Sequence, residues 1–276
     1  MFTCKKVNFT FWRAKILISR KLAQMKTSQI ILSDILLWLK SLAALFIKRE
    51  CICCKRELLA SENSICMFCT EDLPLTYCWI NASSPADRTF WGRTKIERVI
   101  PLIIYSGVYK SLLYSIKYHG NVRMAIRLGR LLGSHLLCLD IDLVIPVPLH
   151  PRKKRQRGYN QSELIAKGIT DRLKAVNKNI RVENKLLMRK NFTLTQTQKD
   201  RADRWQNVKN AFCINAKCAS SLKAKVIRNS RNTTECFHFL LVDDVLTTGA
   251  TLDACASLLL AEFNCRVSIA TLAYIP

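Results

Sequence analysis

The run Phe239-Leu240-Leu241-Val242 leads into two adjacent carboxylates, Asp243 and Asp244. After Val245 and Leu246 comes the turn Thr247-Thr248-Gly249-Ala250-Thr251, and Leu252, Ala256, Leu259 and Leu260 then recur at helical spacing. This order predicts a buried parallel strand, a tight loop and a helix N-terminus. Backbone N–H groups of 247–251 lack intrahelical partners at such a start, and the helix dipole favours an anion there. Gly249 allows a close backbone approach, and the hydroxyls of Thr247, Thr248 and Thr251 add donors. Paired carboxylates at a strand end are costly unless something uses their charge, and as acceptors they suit a vicinal diol. A phosphate cradle beside a diol clamp describes a ribose 5-phosphate site.

That segment resembles the signature of the type I phosphoribosyltransferases. The resemblance implies 5-phosphoribosyl 1-pyrophosphate bound with Mg²⁺, the ribose hydroxyls on Asp243 and Asp244 and the 5-phosphate on the loop.

Two further constellations bear chemistry. Cys51-x-x-Cys54 and Cys66-x-x-Cys69 are separated by eleven residues. Two such knuckles supply four thiolates in tetrahedral reach, which suits a structural Zn²⁺ and stabilises a stretch too small for its own core. Cys53 is a bystander, and Cys78 has no partner at the right spacing for a second site. A redox CxxC is the rival, but neither motif follows a strand in a thioredoxin-like unit. The other constellation is the stretch 147–161. Within it Arg152 to Arg157 carry five basic side chains in six positions, followed by Gly158, Tyr159, Asn160 and Gln161. Read as a cationic loop after a buried strand, it suits pyrophosphate and a charge developing on a leaving group. Lys117, in Ile116-Lys117-Tyr118-His119-Gly120, is a further anion contact, and His119 is ordinary surface. The polar run from Thr195 through Arg201, Arg204 and Asn207 to Phe212 is expected to form a lid.

The elements that position these residues emerge along the chain. Strands are predicted at 99–105, 143–147, 239–242 and 266–274. Helices are predicted at 109–118, 122–137, 162–176 and 252–263. The alternation argues for a parallel sheet covered by helices. Residues 81–93 read as a link, and 215–238 as an inserted polar loop. Residues 1–50 form a basic extension with ten basic and two acidic side chains. Its segment 30–47 places Ile31, Ile35, Trp38, Leu39, Leu42 and Leu45 on one helical face, an amphipathic helix rather than a transmembrane span. Residues 1–24 look unlike folded domain, and Met25 is an alternative start. The domains expected are 1–50, a double-CxxC zinc module at 51–80 and an α/β domain at 96–276.

Composition bounds the partners. Lys+Arg 44 against Asp+Glu 20 gives a net charge of +24 over 276 residues, a field that attracts polyanions. Single-stranded DNA is therefore a candidate partner, with Tyr159 and Trp205 as stacking rings beside the basic run. A membrane surface is a third candidate, through 30–47. Thirteen cysteines, odd in number and clustered, fit reduced thiols in the cytoplasm rather than a disulfide framework.

Taken in order, the paired CxxC motifs, IKYHG, PVPLHPRKKRQRGYNQ, TQTQKDRADRWQNVKNAF and LLVDDVLTTGATL resemble the ComF family. Those phosphoribosyltransferase-like proteins are associated with DNA uptake in naturally competent bacteria, and some relatives are labelled as gluconate-utilisation proteins. The match covers about residues 30–276 and is most specific at Arg157-Gly158-Tyr159-Asn160-Gln161. It implies a type I phosphoribosyltransferase-like parallel sheet with flanking helices, fused to a small zinc-ribbon-like module. Its implied ligand is phosphoribosyl pyrophosphate or a related ribose phosphate with Mg²⁺, its role competence and nucleoside metabolism, and its partners include a competence helicase. If the protein is a phosphoribosyltransferase, Asp243 and Asp244 orient the ribose. Residues 247–251 then hold the phosphate, Arg155 and Arg157 neutralise pyrophosphate, and Lys117, Gly158, Asn160 and Gln161 complete the ligand contacts. The rival reading is a non-catalytic platform for single-stranded DNA.

Overall fold

The structure, a computed structural model, describes residues 48–81, 84–176, 180–189, 211–229 and 236–276. The amphipathic segment 30–47, Trp205 and all of the expected lid but Ala211 and Phe212 lie outside these residues. The described residues fall into two compact units, 48–51 with 55–66, and 52–54 with those from 67 onward.

In the first unit the chain turns tightly on itself. Cys51 N–H donates to the Arg56 carbonyl at 2.8 Å, and Lys55 N–H donates back to the Cys51 carbonyl at 3.0 Å. Lys55 takes a positive φ of 64° to close this knuckle, and Cys66 N–H donates to Cys51 Sγ at 3.4 Å.

The second unit is an α/β fold. It begins with the short helix α1 (Met67–Glu71) and a 3-10 turn at Pro85–Phe90. The expected link at 81–93 is therefore partly structured. Asp87 accepts from Ser84 N–H and from Val99 N–H at 2.9 Å, tying this turn to the first strand. There follow β1 (Val99–Ile104), α2 (Lys110–Tyr118), α3 (Val122–Ser134), β2 (Leu143–Pro146), α4 (Pro151–Arg157), α5 (Gln161–Lys174) and β3 (Arg181–Val182). Then come β4 (Leu187–Arg189), β5 (Phe212–Ile214), α6 (Ala216–Asn229), β6 (Phe237–Leu246), α7 (Ala250–Glu262) and β7 (Cys265–Tyr274).

Five strands form one parallel sheet in the order β1-β7-β6-β2-β3. Its central strands are near-continuous apolar runs because helices cover both faces. Phe239, Leu241, Val267 and Ile269 pack with Leu252, Ala256 and Leu259 of α7 in one core. The helices α3 and α5 cross with their backbones in contact. A Cβ at Gly168 would collide with the Ile126 carbonyl oxygen and lie 2.9 Å from Arg130 N, and one at Gly129 would strike the Ile165 carbonyl.

Three expectations need correction. The segment 215–238 is not a loop: residues 216–229 are helix α6, whose start is capped by Asn215 Oδ1 accepting from Lys217 and Cys218 N–H at 3.1 and 3.4 Å. Its scattered apolar residues hid the period. The basic run 152–157 is likewise helix α4 rather than a loop, started by Pro151 with His150 as cap and stopped by Gly158 at φ 81°. Finally, β6 extends to Leu246, so Asp243 and Asp244 lie inside the strand rather than after it. The short strands β3, β4 and β5 were not foreseen, being two or three residues long.

Candidate functional site

The strand order reverses between β2 and β6. From β2 the chain passes through α4 and α5 to β3 at one edge, whereas from β6 it passes through α7 to β7 on the other side. Neighbouring strands that send their chains in opposite directions leave a crevice at their carboxyl ends, where open α/β sheets bind ligands. The segments 147–161 and 247–251, picked out for their chemistry, are the two that leave at this point.

Asn160 stitches the first segment in place. Buried, it donates through Nδ2 to the Val147 carbonyl at 2.9 Å, and its Oδ1 caps α5 by accepting from Ser162 N–H at 3.1 Å. Its amide thus holds the crevice's wall. Gln161, also buried, has an Nε2 without a hydrogen-bond partner among the described residues. Ser162 reaches across: its hydroxyl donates to Asp243 Oδ1 at 3.0 Å. Sequence reasoning missed Ser162, although its place immediately after Asn160-Gln161 was a usable signal.

The acids hold charge in a confined place. Lys117 Nζ lies 3.1 Å from Asp244 Oδ2, and Asp243 Oδ1 also accepts from Asp244 N–H at 2.8 Å. Burial, then the neighbouring Asp244 carboxylate, push Asp243 up from 3.8 to about 7, against the Asp244 N–H, Ser162 and Lys117, which pull it down. Behind it on α7, Cys255 is fully buried, and burial and the Asp243 charge raise its thiol well above the usual range. Two carboxylates held together this way are poised to accept from hydroxyl groups or to meet a cation.

In the loop, Thr247 and Thr248 are exposed, Ala250 and Thr251 half-buried and Gly249 buried. Gly249 is required twice over: φ is 74°, and a Cβ would lie 2.8 Å from Thr89 Cγ2 and 3.1 Å from Phe90 Cζ. The close approach made by this glycine is therefore to the 3-10 turn. It caps α7 with no side-chain bond, so the helix presents its first N–H groups without a side chain across them.

The last turn of α2 gathers the basic helix. Tyr159 hydroxyl donates to the Ile116 carbonyl, and the Arg157 guanidinium stands 4.9 Å from the centre of the Tyr118 ring and donates to its hydroxyl at 3.4 Å. So Lys117 reaches Asp244 while its neighbour Tyr118 holds Arg157, and IKYHG and RGYNQ are two halves of one joint. Tyr159, expected as a stacking ring, is half-buried and engaged. Two rings of α2, Tyr114 and Tyr118, are exposed, one helical turn apart with centroids at 4.6 Å. Arg155 projects from α4 into solvent, as do Arg152 and Lys153, while Lys154 pairs with Glu163 at 2.8 Å. His119 is exposed, as expected.

The four cysteines Cys51, Cys54, Cys66 and Cys69 place their Sγ atoms within 4.8 Å of one another. A tetrahedral Zn²⁺ with bonds of about 2.3 Å needs sulfurs about 3.8 Å apart, so the cluster can bind a metal and fits structural zinc. Cys53 and Cys78 are buried outside this set. Among the described residues no helix is long and apolar enough to cross a membrane.

Fold and site define a class: a mixed α/β protein whose five-stranded parallel sheet carries an acidic pair and a helix-start loop at its switch point, with a four-cysteine cluster that fits a zinc-ribbon-like module. The chain is similar to Competence protein F of Haemophilus influenzae, 27% identical over 229 residues that span 78% of this chain and 92% of that protein. It is also similar to the DNA utilization protein YhgH of Salmonella typhi and of Shigella flexneri. Each is 26% identical over 234 residues, covering 79% of this chain and 94% of the relative. These homologues support a ComF family protein. No protein-family profile matches the chain.

Proposed function

We propose that this protein binds phosphoribosyl pyrophosphate or a related ribose phosphate and acts in DNA uptake. The observation that carries the ligand is the acidic pair followed by an open helix start at the switch point of the sheet. The names of the relatives, a competence protein and DNA utilization proteins, support the cellular role.

In this reading Asp243 and Asp244 accept from the ribose hydroxyls, and the 247–251 amides and threonine hydroxyls surround the 5-phosphate. Lys117 exchanges Asp244 for the ligand. Mg²⁺, which neutralises charge on pyrophosphate, would find hard oxygen donors in the same two carboxylates. Turnover would break the bond between C1 and the pyrophosphate oxygen, which departs with the electron pair, as C1 bonds to an acceptor. Arg155 and Arg157 stand on the basic helix to offset the departing charge, and a carboxylate stabilises the oxocarbenium-like C1. The domains at work are the basic extension 1–50, the zinc module 51–80 and the site-bearing domain 96–276.

Calorimetry of the full chain with phosphoribosyl pyrophosphate and Mg²⁺, beside an Asp243→Asn/Asp244→Asn double variant, tests this. Heat of binding in the wild type alone supports the reading; a folded wild type that binds nothing removes it.

One observation favours a second reading, a surface for single-stranded DNA. The exposed Tyr114–Tyr118 pair lies beside Arg157 and the basic face of α4, the combination of stacking and phosphate neutralisation that such strands use. Binding of a labelled oligonucleotide that weakens about tenfold in Tyr114→Ala/Tyr118→Ala, at roughly 1–3 kcal/mol per stacked base, would support it. Equal binding by the variant would sink it.

A further inference from the structure

The segment just before β1 grips the loop that precedes α7. Phe90 and Thr89 close against Gly249. Three residues after Phe90, beyond a turn made by Gly92 at φ 70°, Arg93 Nη1 donates to the Thr248 carbonyl at 2.8 Å. Thr94 continues along the helix: its N–H donates to the buried Asp253 carboxylate at 3.2 Å, and its hydroxyl meets that of Ser257 at 2.5 Å. Residues 89–94 therefore form a brace along the first turns of α7. No feature of the ribose-phosphate signature itself points to them.

The contact made by Arg93 has a directional consequence. The peptide joining Thr248 to Gly249 is trans, as are all the described peptides, and in a trans peptide the C=O and the next N–H point in opposite directions. Holding the Thr248 carbonyl toward Arg93 turns the Gly249 N–H away from it. Gly249 has no Cβ to restrict that peptide, so without the arginine the plane loses a hold on its orientation. An anion loop works only when its N–H groups converge.

We propose that Arg93 is a positioning residue of the phosphate loop, aiming the Gly249 amide at a phosphate monoester by fixing the Thr248 carbonyl. This rests on the ribose-phosphate reading of 247–251. The guanidinium acts through the peptide, so another N–H donor of similar reach serves nearly as well.

Ribose 5-phosphate is the probe, titrated into full-length wild type, Arg93→Met and Arg93→Lys, with the Gly249 amide followed by NMR and thermal unfolding checking each fold. Arg93→Met is expected to bind about tenfold more weakly and to lose the Gly249 amide response, with the melting temperature close to wild type because Arg93 is exposed. Arg93→Lys, which keeps an N–H donor of nearly the same reach, is expected to stay within about threefold of wild type and to keep the Gly249 amide response. Arg93→Met binding as well as wild type overturns the proposal. So does Arg93→Lys that binds well without the Gly249 response, since the effect would then be one of charge. A folded wild type that does not bind ribose 5-phosphate instead overturns the reading of the loop itself.

Discussion

Replacing Asp243 by asparagine is expected to stabilise the protein above neutral pH while removing its ligand. Burial and Asp244 push the Asp243 carboxyl up to about 7 from 3.8. The folded protein then keeps a proton that the unfolded chain releases near pH 4, so stability is full below that pH and falls as pH rises toward 7. The whole displacement corresponds to about 4 kcal/mol, at about 1.4 kcal/mol per tenfold change in proton affinity. Between pH 5.5 and 8, a range in which thiolates keep their metal, about 2 kcal/mol of it is at stake. Asparagine accepts from Ser162 through the same oxygen but cannot ionise. Urea unfolding of both proteins at the two pH values measures the difference. Titration of the buried His238, whose pKa burial lowers, is common to both and cancels. The variant should gain about 2 kcal/mol relative to wild type on going from pH 5.5 to 8. A constant difference, or a variant destabilised more at pH 8, would refute the argument that the acid is held against its own ionisation.

Other outcomes follow from the same geometry. Gly249→Ala should cost about 2–4 kcal/mol, combining the left-handed backbone with the clash against Thr89 and Phe90. Gly120→Ala, at φ 66° with open space around it, should cost only about 1–2 kcal/mol; equal losses in denaturant midpoints would remove the steric part. Gly168→Ala should destabilise by about 3 kcal/mol, because the obstructing atoms are Ile126 and Arg130 backbone, and circular dichroism melts would show it. Purified protein should carry zinc that a thiol-blocking mercurial releases, and Cys66→Ser should lose it; a metal content unchanged by Cys66→Ser would contradict the four-thiolate site.

Much of this was legible in the residues. The apolar runs of β1, β2, β6 and β7 are buried on both faces, so their strand character survives without alternation, and the helix that follows Gly249 announces itself through Leu252, Ala256 and Leu259. The cysteine spacing sufficed for the cluster. What stayed hidden depends on distance in sequence. Nothing local tells Arg93 to meet Thr248, or Ser162 to meet Asp243, because each contact is made by the sheet's topology. The helix 151–157 was masked by its charge, which reads as a solvated loop until Pro151 and Gly158 are recognised as its start and stop. The helix 216–229 lacked a clear apolar stripe. Tyr159 was an attractive ring in the sequence, yet its hydroxyl closes a joint and leaves Tyr114 and Tyr118 exposed in its stead.

The most direct measurement is a crystal structure of the full chain grown with ribose 5-phosphate. The account predicts the phosphate among the 247–251 amides and the ribose hydroxyls on Asp243 and Asp244, with Lys117 drawn off Asp244. A ligand seated on the basic helix 151–157 with the loop and the acids untouched would contradict it.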